Sequence, residues 1–161
     1  MSYVYNITYE RGDILNTKKL LFSLSIITVF IFSTLVGCSK NLDSTSIENF
    51  SKPIVVNILT AINNKNYTNF TQDFSQDMKN LSTDIAFKDQ VKLIKKTIGN
   101  YESCTFLKAT EKQGFIKALY KCNFSDEPKD VIVTITFKKD DSTHKVQGLF
   151  ISSPKLNKET Q

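Results

Sequence analysis

The segment Val131–Phe137, VIVTITF, decides the fold class of this chain. Its odd-numbered residues are all bulky and apolar, and two of its three even-numbered residues are threonine. Alternation with a period of two in β-branched and aromatic residues predicts a strand. Because only one of its faces is fully apolar, the strand is typical of an antiparallel sheet that is covered on one side.

Three neighbouring segments have the same character. Ser103–Ala109 and Phe115–Phe124 are separated by the loop Glu-Lys-Gln-Gly, and a short loop that ends in glycine predicts a hairpin. Lys145–Ile151 follows a turn at residues 138–143 and is the fourth predicted strand, because Pro154 prevents it from continuing. We therefore expect four antiparallel strands.

Before Tyr101, the apolar residues recur at helical spacing and no longer alternate with polar ones. Thr45 and Glu48 form a candidate capping box, and Pro53 either kinks the first helix or marks its start with Ser51 as the cap. The apolar residues of this helix recur every three or four positions: Ile47, Phe50, Ile54, Ile58 and Ala61.

Two further helical segments follow. Residues 66–81 predict one or two short helices that turn their apolar residues inward, including Leu81. The next helix is capped by residues 82–84 and ends at Gly99. Its buried side is expected to consist of Phe87, Val91, Ile94 and Ile98. Three helical segments followed by four antiparallel strands predict an α+β fold, with the helices on one face of the sheet.

Leu35-Val36-Gly37-Cys38 matches the bacterial lipobox, at the end of an uncharged apolar run that begins after Lys18 and Lys19. A basic region, an apolar region and a small-residue cleavage site predict a lipoprotein signal peptide. We expect cleavage between Gly37 and Cys38 and attachment of lipid to Cys38. The alternative is an uncleaved membrane span in which Cys38 is incidental.

This segment divides the chain into four predicted parts. They are a signal peptide at 1–37, a lipidated tether at 38–46, an α+β domain at 47–154 and a frayed polar tail at 155–161. The acidic residues Glu10 and Asp13 are unusual in a signal peptide, and an internal start near Leu15 would remove them. We expect a cell membrane location on the extracytoplasmic face, and the Lys, Asn and Ile content indicates a low-GC Gram-positive bacterium.

Composition excludes several kinds of site. The formal net charge is +5, and the basic residues show no aromatic-interleaved stripe, so we expect no nucleic acid partner. A single histidine and the absence of a Cys-x-x-Cys pair argue against a zinc site, and we expect no cofactor. Asp140, Asp141 and His144 could be taken for a metal or acid–base cluster, but a turn is the commoner use of such residues.

The chain has three cysteines, so lipidation of Cys38 would leave Cys104 and Cys122 as the two unmodified cysteines. A hairpin turn near Gln113 pairs Phe106 with Tyr120 and Cys104 with Cys122, and in the same register Lys108 faces Ala118. Cysteines opposite each other on adjacent strands are close enough to bridge. The pair is either a disulfide or two buried free thiols, and a shift of one residue would separate the sulfur atoms.

A family resemblance rests on three short motifs. They are Ile58-Leu59-Thr60-Ala61-Ile62 with Asn66-Tyr67-Thr68-Asn69-Phe70, Ile98-Gly99-Asn100-Tyr101, and Val146–Pro154. They resemble the nuclear-transport-factor-2-like superfamily and, within it, a bacterial lipoprotein family of unknown function. The resemblance implies a curved sheet wrapped around the first helix with a cavity between them. It does not imply an activity, because fold alone does not specify function.

Three functions are compatible with this architecture. The first is a non-catalytic domain that binds a small apolar ligand or an envelope protein. Four aromatic residues could line its cavity, although filling the core is the commoner role of aromatic residues in small α+β domains: Phe106, Tyr120, Phe137 and Phe150. The second is a structural or assembly accessory domain with a filled core. The third, a hydrolase or isomerase of the same fold, lacks a recognisable catalytic motif. We expect the first, with the membrane contacted through the N-terminal lipid.

Overall fold

The structure is a computed structural model that describes residues 42–159. The predicted signal peptide with Gly37 and the predicted lipidation site Cys38 lie outside these residues. The secondary-structure elements follow in chain order as α1 (Ser44–Asn64), α2 (Tyr67–Thr71), α3 (Gln76–Leu81), α4 (Asp84–Thr97), β1 (Tyr101–Lys112), β2 (Phe115–Phe124), β3 (Glu127–Lys138), β4 (Val146–Ser152) and α5 (Pro154–Glu159). The described residues therefore confirm the predicted α+β class and strand number.

Helix α1 is continuous through Pro53, which is exposed. The residue that caps its N-terminus is Asp43, whose carboxylate accepts hydrogen bonds from the backbone N–H groups of Thr45 and Ser46. Ser51, considered above as a cap, is instead fully buried in the middle of the helix. The helix thus begins inside the stretch that was expected to be a flexible tether.

The segment after α1 forms two short helices, α2 and α3, capped by Asn66 and Ser75. Thr83 caps α4, and the four apolar residues predicted for its buried side are all buried. Leu81 was predicted to point inward but is 83% exposed, because it ends α3 and the chain turns at Ser82. Gly99 ends this region with a positive φ of 83°, where a Cβ atom would collide with Ser125.

The sheet has the simple order β1-β2-β3-β4, and every neighbouring pair is antiparallel. One face is buried: on β3 it carries the odd-numbered residues Val131, Val133, Ile135 and Phe137, as the alternation predicted. This inner face packs against α1, whose Val55, Ile58 and Leu59 are fully buried. The opposite, outer face is left to solvent.

Two polar contacts connect α1 to the sheet. The Ser51 Oγ lies 2.6 Å from both the Ile47 carbonyl oxygen and the Tyr120 hydroxyl oxygen. Since a serine has one hydroxyl proton and gives it to Ile47, the Tyr120 hydroxyl donates to Ser51. At the end of α1, the Asn63 side-chain amide donates to the Tyr101 carbonyl at 2.8 Å and accepts from the Tyr101 N–H at 2.9 Å.

The C-terminal segment differs from the frayed tail expected after residue 154. It forms helix α5, and Leu156 is buried in the core. The Ser153 hydroxyl accepts from the Leu156 N–H, and the buried Glu127 carboxylate accepts from the Lys155 N–H. These contacts position the helix. Its short, mostly polar sequence has almost no hydrophobic periodicity from which a helix could be predicted.

Candidate functional site

The described residues contain an apolar cleft beside the edge strand β4. Helices α4 and α5 form its walls together with β4, and α1 and α2 contribute to its floor. Its volume is about 350 Å³, within the range of small-molecule sites. The cleft is lined by Ile62, Phe70, Phe87, Gln90, Val91, Leu93, Ile94, Leu149, Phe150, Ile151, Leu156 and Asn157.

The lining is apolar except for two side-chain amides, those of Gln90 and Asn157, and it contains no charged residue. Phe70 and Phe87, whose ring centroids are 4.6 Å apart, are buried and belong to the floor. Phe150 is 64% exposed and belongs to the rim. Such a site favours a small apolar molecule with at most one or two uncharged polar groups.

Comparison with known proteins bears on the part of the chain that forms most of this cleft. Residues 55–149 match the model of a family described as "Protein of unknown function (DUF3887)". The chain belongs to this family. No curated protein matches it. The match extends over more than half of the chain and ends just before Phe150, so the rim residue and helix α5 lie beyond the family segment.

The four aromatic residues considered as either cavity lining or core filling occupy different places in this DUF3887 member. Phe150 lies in the cleft, but Tyr120 and Phe137 are fully buried in the core on the inner face of the sheet. Phe106 packs against Tyr120, with ring centroids 5.5 Å apart. Tyr120 and Phe137 therefore help to fill the core, whereas the cleft lies at the β4 edge.

The two cysteines meet as the hairpin predicted. Cys104 is directly opposite Cys122, and Phe106 is opposite Tyr120, but Lys108 is opposite Leu119 rather than Ala118. Both cysteines are free thiols in the structure, Cys104 half-buried and Cys122 fully buried, so the disulfide stays a prediction.

The surroundings of Cys104 favour its thiolate. The pKa of Cys104 is lowered to about 6, first because Cys122 donates a hydrogen bond to it. The Tyr101 hydroxyl, 3.4 Å from the Cys104 sulfur, also donates, and Lys52 adds a positive charge. The same contact and burial raise the pKa of Cys122. Cys104 is therefore the more nucleophilic sulfur of the pair.

Asp140, Asp141 and His144 form a turn, not a cluster of ligands. The Asp141 carboxylate accepts from the Thr143 hydroxyl and from the N–H groups of Thr143 and Lys145, and the hydrogen bonds from Thr143 are the main reason that its pKa is lowered. The His144 ring stacks on Phe50 with centroids 3.8 Å apart. These contacts give Asp141 and His144 structural roles in the turn.

The described part of the chain lacks two further features. Between residues 42 and 159, no group of three or more His, Cys, Asp or Glu side chains is placed to hold a metal ion. Over the same range, no helix combines the length and apolar character needed to cross a membrane. The sequence did not indicate the apolar cleft because its lining residues come from five separate elements.

Proposed function

We propose that this DUF3887 member is a lipid-anchored lipoprotein on the extracytoplasmic face of a bacterial cell membrane, and that its domain binds a small apolar ligand without catalysis. The observation that carries the proposal is the uncharged cleft of about 350 Å³ between α4, α5 and β4. We also propose that the domain belongs to the nuclear-transport-factor-2-like superfamily, which the helix-then-strand order supports.

The anchor rests on the lipobox that ends at Cys38. Two or three acyl chains hold a protein on a bilayer stably, whereas one chain does so only marginally. Radiolabelled palmitate should enter the wild-type protein, and Cys38→Ser should block both labelling and signal cleavage. Normal processing and membrane retention of the Cys38→Ser protein would contradict the proposed anchor.

The cleft is tested by filling it. Leu93 lines the cleft and is half-buried, so Leu93→Trp should occupy its volume. Native mass spectrometry of the processed protein, purified from its own host, should show a bound apolar molecule that the Leu93→Trp variant lacks. Val56→Trp, at an exposed position of α1 outside the cleft, is the matched control and should keep the ligand.

A protein partner is a second candidate for the same domain. Leu81 at the end of α3 and Ile85 at the start of α4 are 83% and 74% exposed, and they lie four residues apart. Large apolar side chains that remain exposed to solvent are candidates for a contact surface. Chemical cross-linking in intact cells, lost in Leu81→Ser/Ile85→Ser and kept in Leu93→Trp, would favour this candidate.

A further inference from the structure

The outer face of the sheet is basic. The pairing register arranges it in four rows of neighbouring positions: Lys112–Phe115–Lys138, Thr110–Lys117–Thr136–Gly148, Lys108–Leu119–Thr134–Phe150 and Thr105–Lys121–Ile132–Ser152. These rows contain five lysines and no acidic residue. All five lysines are exposed, because alternation along each strand directs them away from α1 and the core.

These lysines carry uncompensated charge. Among the described residues, the ion pairs are Lys52–Glu48, Lys88–Asp84 and Lys139–Glu111, and none involves the outer face. Adjacent strands lie about 4.8 Å apart, so charges on neighbouring rows and strands are within roughly one screening length of each other. Their potentials therefore add, and the face attracts anions as a whole.

A depression crosses the same face. Two hollows of about 460 and 300 Å³ share Lys117, Thr136 and Gly148 in their linings and so adjoin. One hollow contains the exposed ring of Phe150 and the other that of Phe115. Gly148 leaves the middle open because it has no side chain, and the nearest atoms to a Cβ there would be those of Thr136 at 3.6 Å.

We propose that the outer face binds a linear polyanion, a chain of phosphate-linked repeats, lying along the depression over Gly148. Lys112 and Lys117 attract successive anionic groups, and the Thr134 and Thr136 hydroxyls donate hydrogen bonds to their oxygens. A chain fits better than an isolated ion because the charges are spread over four rows instead of converging on one point. The surface is separate from the interior of the apolar cleft and shares only Leu149 and Phe150 with it.

Fluorescence anisotropy of labelled inorganic polyphosphate, with the full chain held in a neutral detergent, tests the proposal. Lys112→Glu/Lys117→Glu should weaken binding about tenfold or more, because two attractive charges become repulsive. Lys92→Glu/Lys96→Glu changes the net charge equally at exposed positions of α4 and should retain most of the affinity. Equal losses in the two variants, or no binding by the parent, would overturn the proposal.

Shape and occupant are tested separately. Gly148→Leu fills the depression without changing charge, and its polyphosphate affinity should fall severalfold, whereas unchanged affinity would overturn the assignment to the depression.

Orthophosphate at the same phosphate concentration should compete poorly. Tighter binding of single-stranded DNA than of polyphosphate would indicate base stacking on Phe115 and Phe150 and would overturn the proposal. Polymer affinity unaffected by Lys112→Glu/Lys117→Glu would overturn the assignment of polyanion binding to this face. Circular dichroism confirms that each variant is folded.

Discussion

Cys104 lies directly opposite Cys122 because Leu107 is an extra, unpaired residue in β1. The two-residue turn at Gln113 and Gly114 places Lys112 opposite Phe115. If that register continued without interruption, Cys104 would face Asn123 and point to the other side of the sheet. The β-bulge at Leu107, which is 49% exposed, restores the inward direction of Cys104.

The first prediction is that Cys104 and Cys122 form a disulfide when the protein is exported and oxidised. The bond would close a loop of about 18 residues and stabilise the domain by about 3 kcal/mol. Denaturant unfolding with and without reductant should show this difference, and the Cys122→Ser variant should show none. Two titratable thiols after treatment with an oxidised glutathione buffer would contradict the prediction.

The second prediction concerns the reduced protein. Because Cys122 and Tyr101 donate hydrogen bonds to the Cys104 sulfur, its thiolate should appear with a pKa of about 6. The rate of alkylation by iodoacetamide should therefore rise with pH to a plateau with a midpoint near that value. Tyr101→Phe removes one donor and should shift the midpoint upward. A midpoint at the ordinary thiol value of 9.0 in the parent would contradict the prediction.

The β1–β2 hairpin was predicted correctly in part from the sequence. Alternation in β2 and the glycine of the loop predicted that the cysteines face each other, and the structure confirms this pairing. The predicted register near the turn was nevertheless wrong by one residue, as the Lys108–Leu119 pair shows. The bulge at Leu107 compensated the error, and nothing in the local sequence distinguishes Leu107 from an ordinary strand residue.

The candidate cleft was less accessible to prediction. The buried side of α4 follows from helical periodicity, but the placement of α4 and β4 around one cleft depends on tertiary packing that no local pattern encodes. Phe150 illustrates the difficulty: alternation in β3 predicted that Phe137 points to the core, but only the pairing register shows that Phe150 points outward. Helix α5 was missed because a six-residue polar segment has little periodicity to detect.

The third prediction concerns the contact between Ser51 and Tyr120. Ser51→Ala should destabilise the domain by about 1–3 kcal/mol, because it leaves the buried Tyr120 hydroxyl without an acceptor. Tyr120→Phe should cost less, about 1 kcal/mol, because Ser51 still donates to the Ile47 carbonyl. Chemical unfolding of both single variants measures the asymmetry.

The double variant Ser51→Ala/Tyr120→Phe separates this hydrogen bond from general packing. Its destabilisation should be smaller than the two single effects added together, since neither change leaves an unpaired group when the other is present. Ser46→Ala, at an exposed position of the same helix, serves as the control and should change stability little. Strict additivity in the double variant would show that the two hydroxyl groups are not coupled.

The fourth prediction is that Asn63 determines how α1 meets the sheet. Its amide pairs with both backbone groups of Tyr101, as a neighbouring strand would, so Asn63→Ala should destabilise the domain by about 1–2 kcal/mol. Asn64→Ala, the adjacent and exposed residue, should change stability by less than about 0.5 kcal/mol. Hydrogen exchange adds a local readout, because the Tyr101 amide should exchange faster in Asn63→Ala only. Equal exchange of that amide in the parent and both variants would show that Asn63 does not hold the start of β1 in solution.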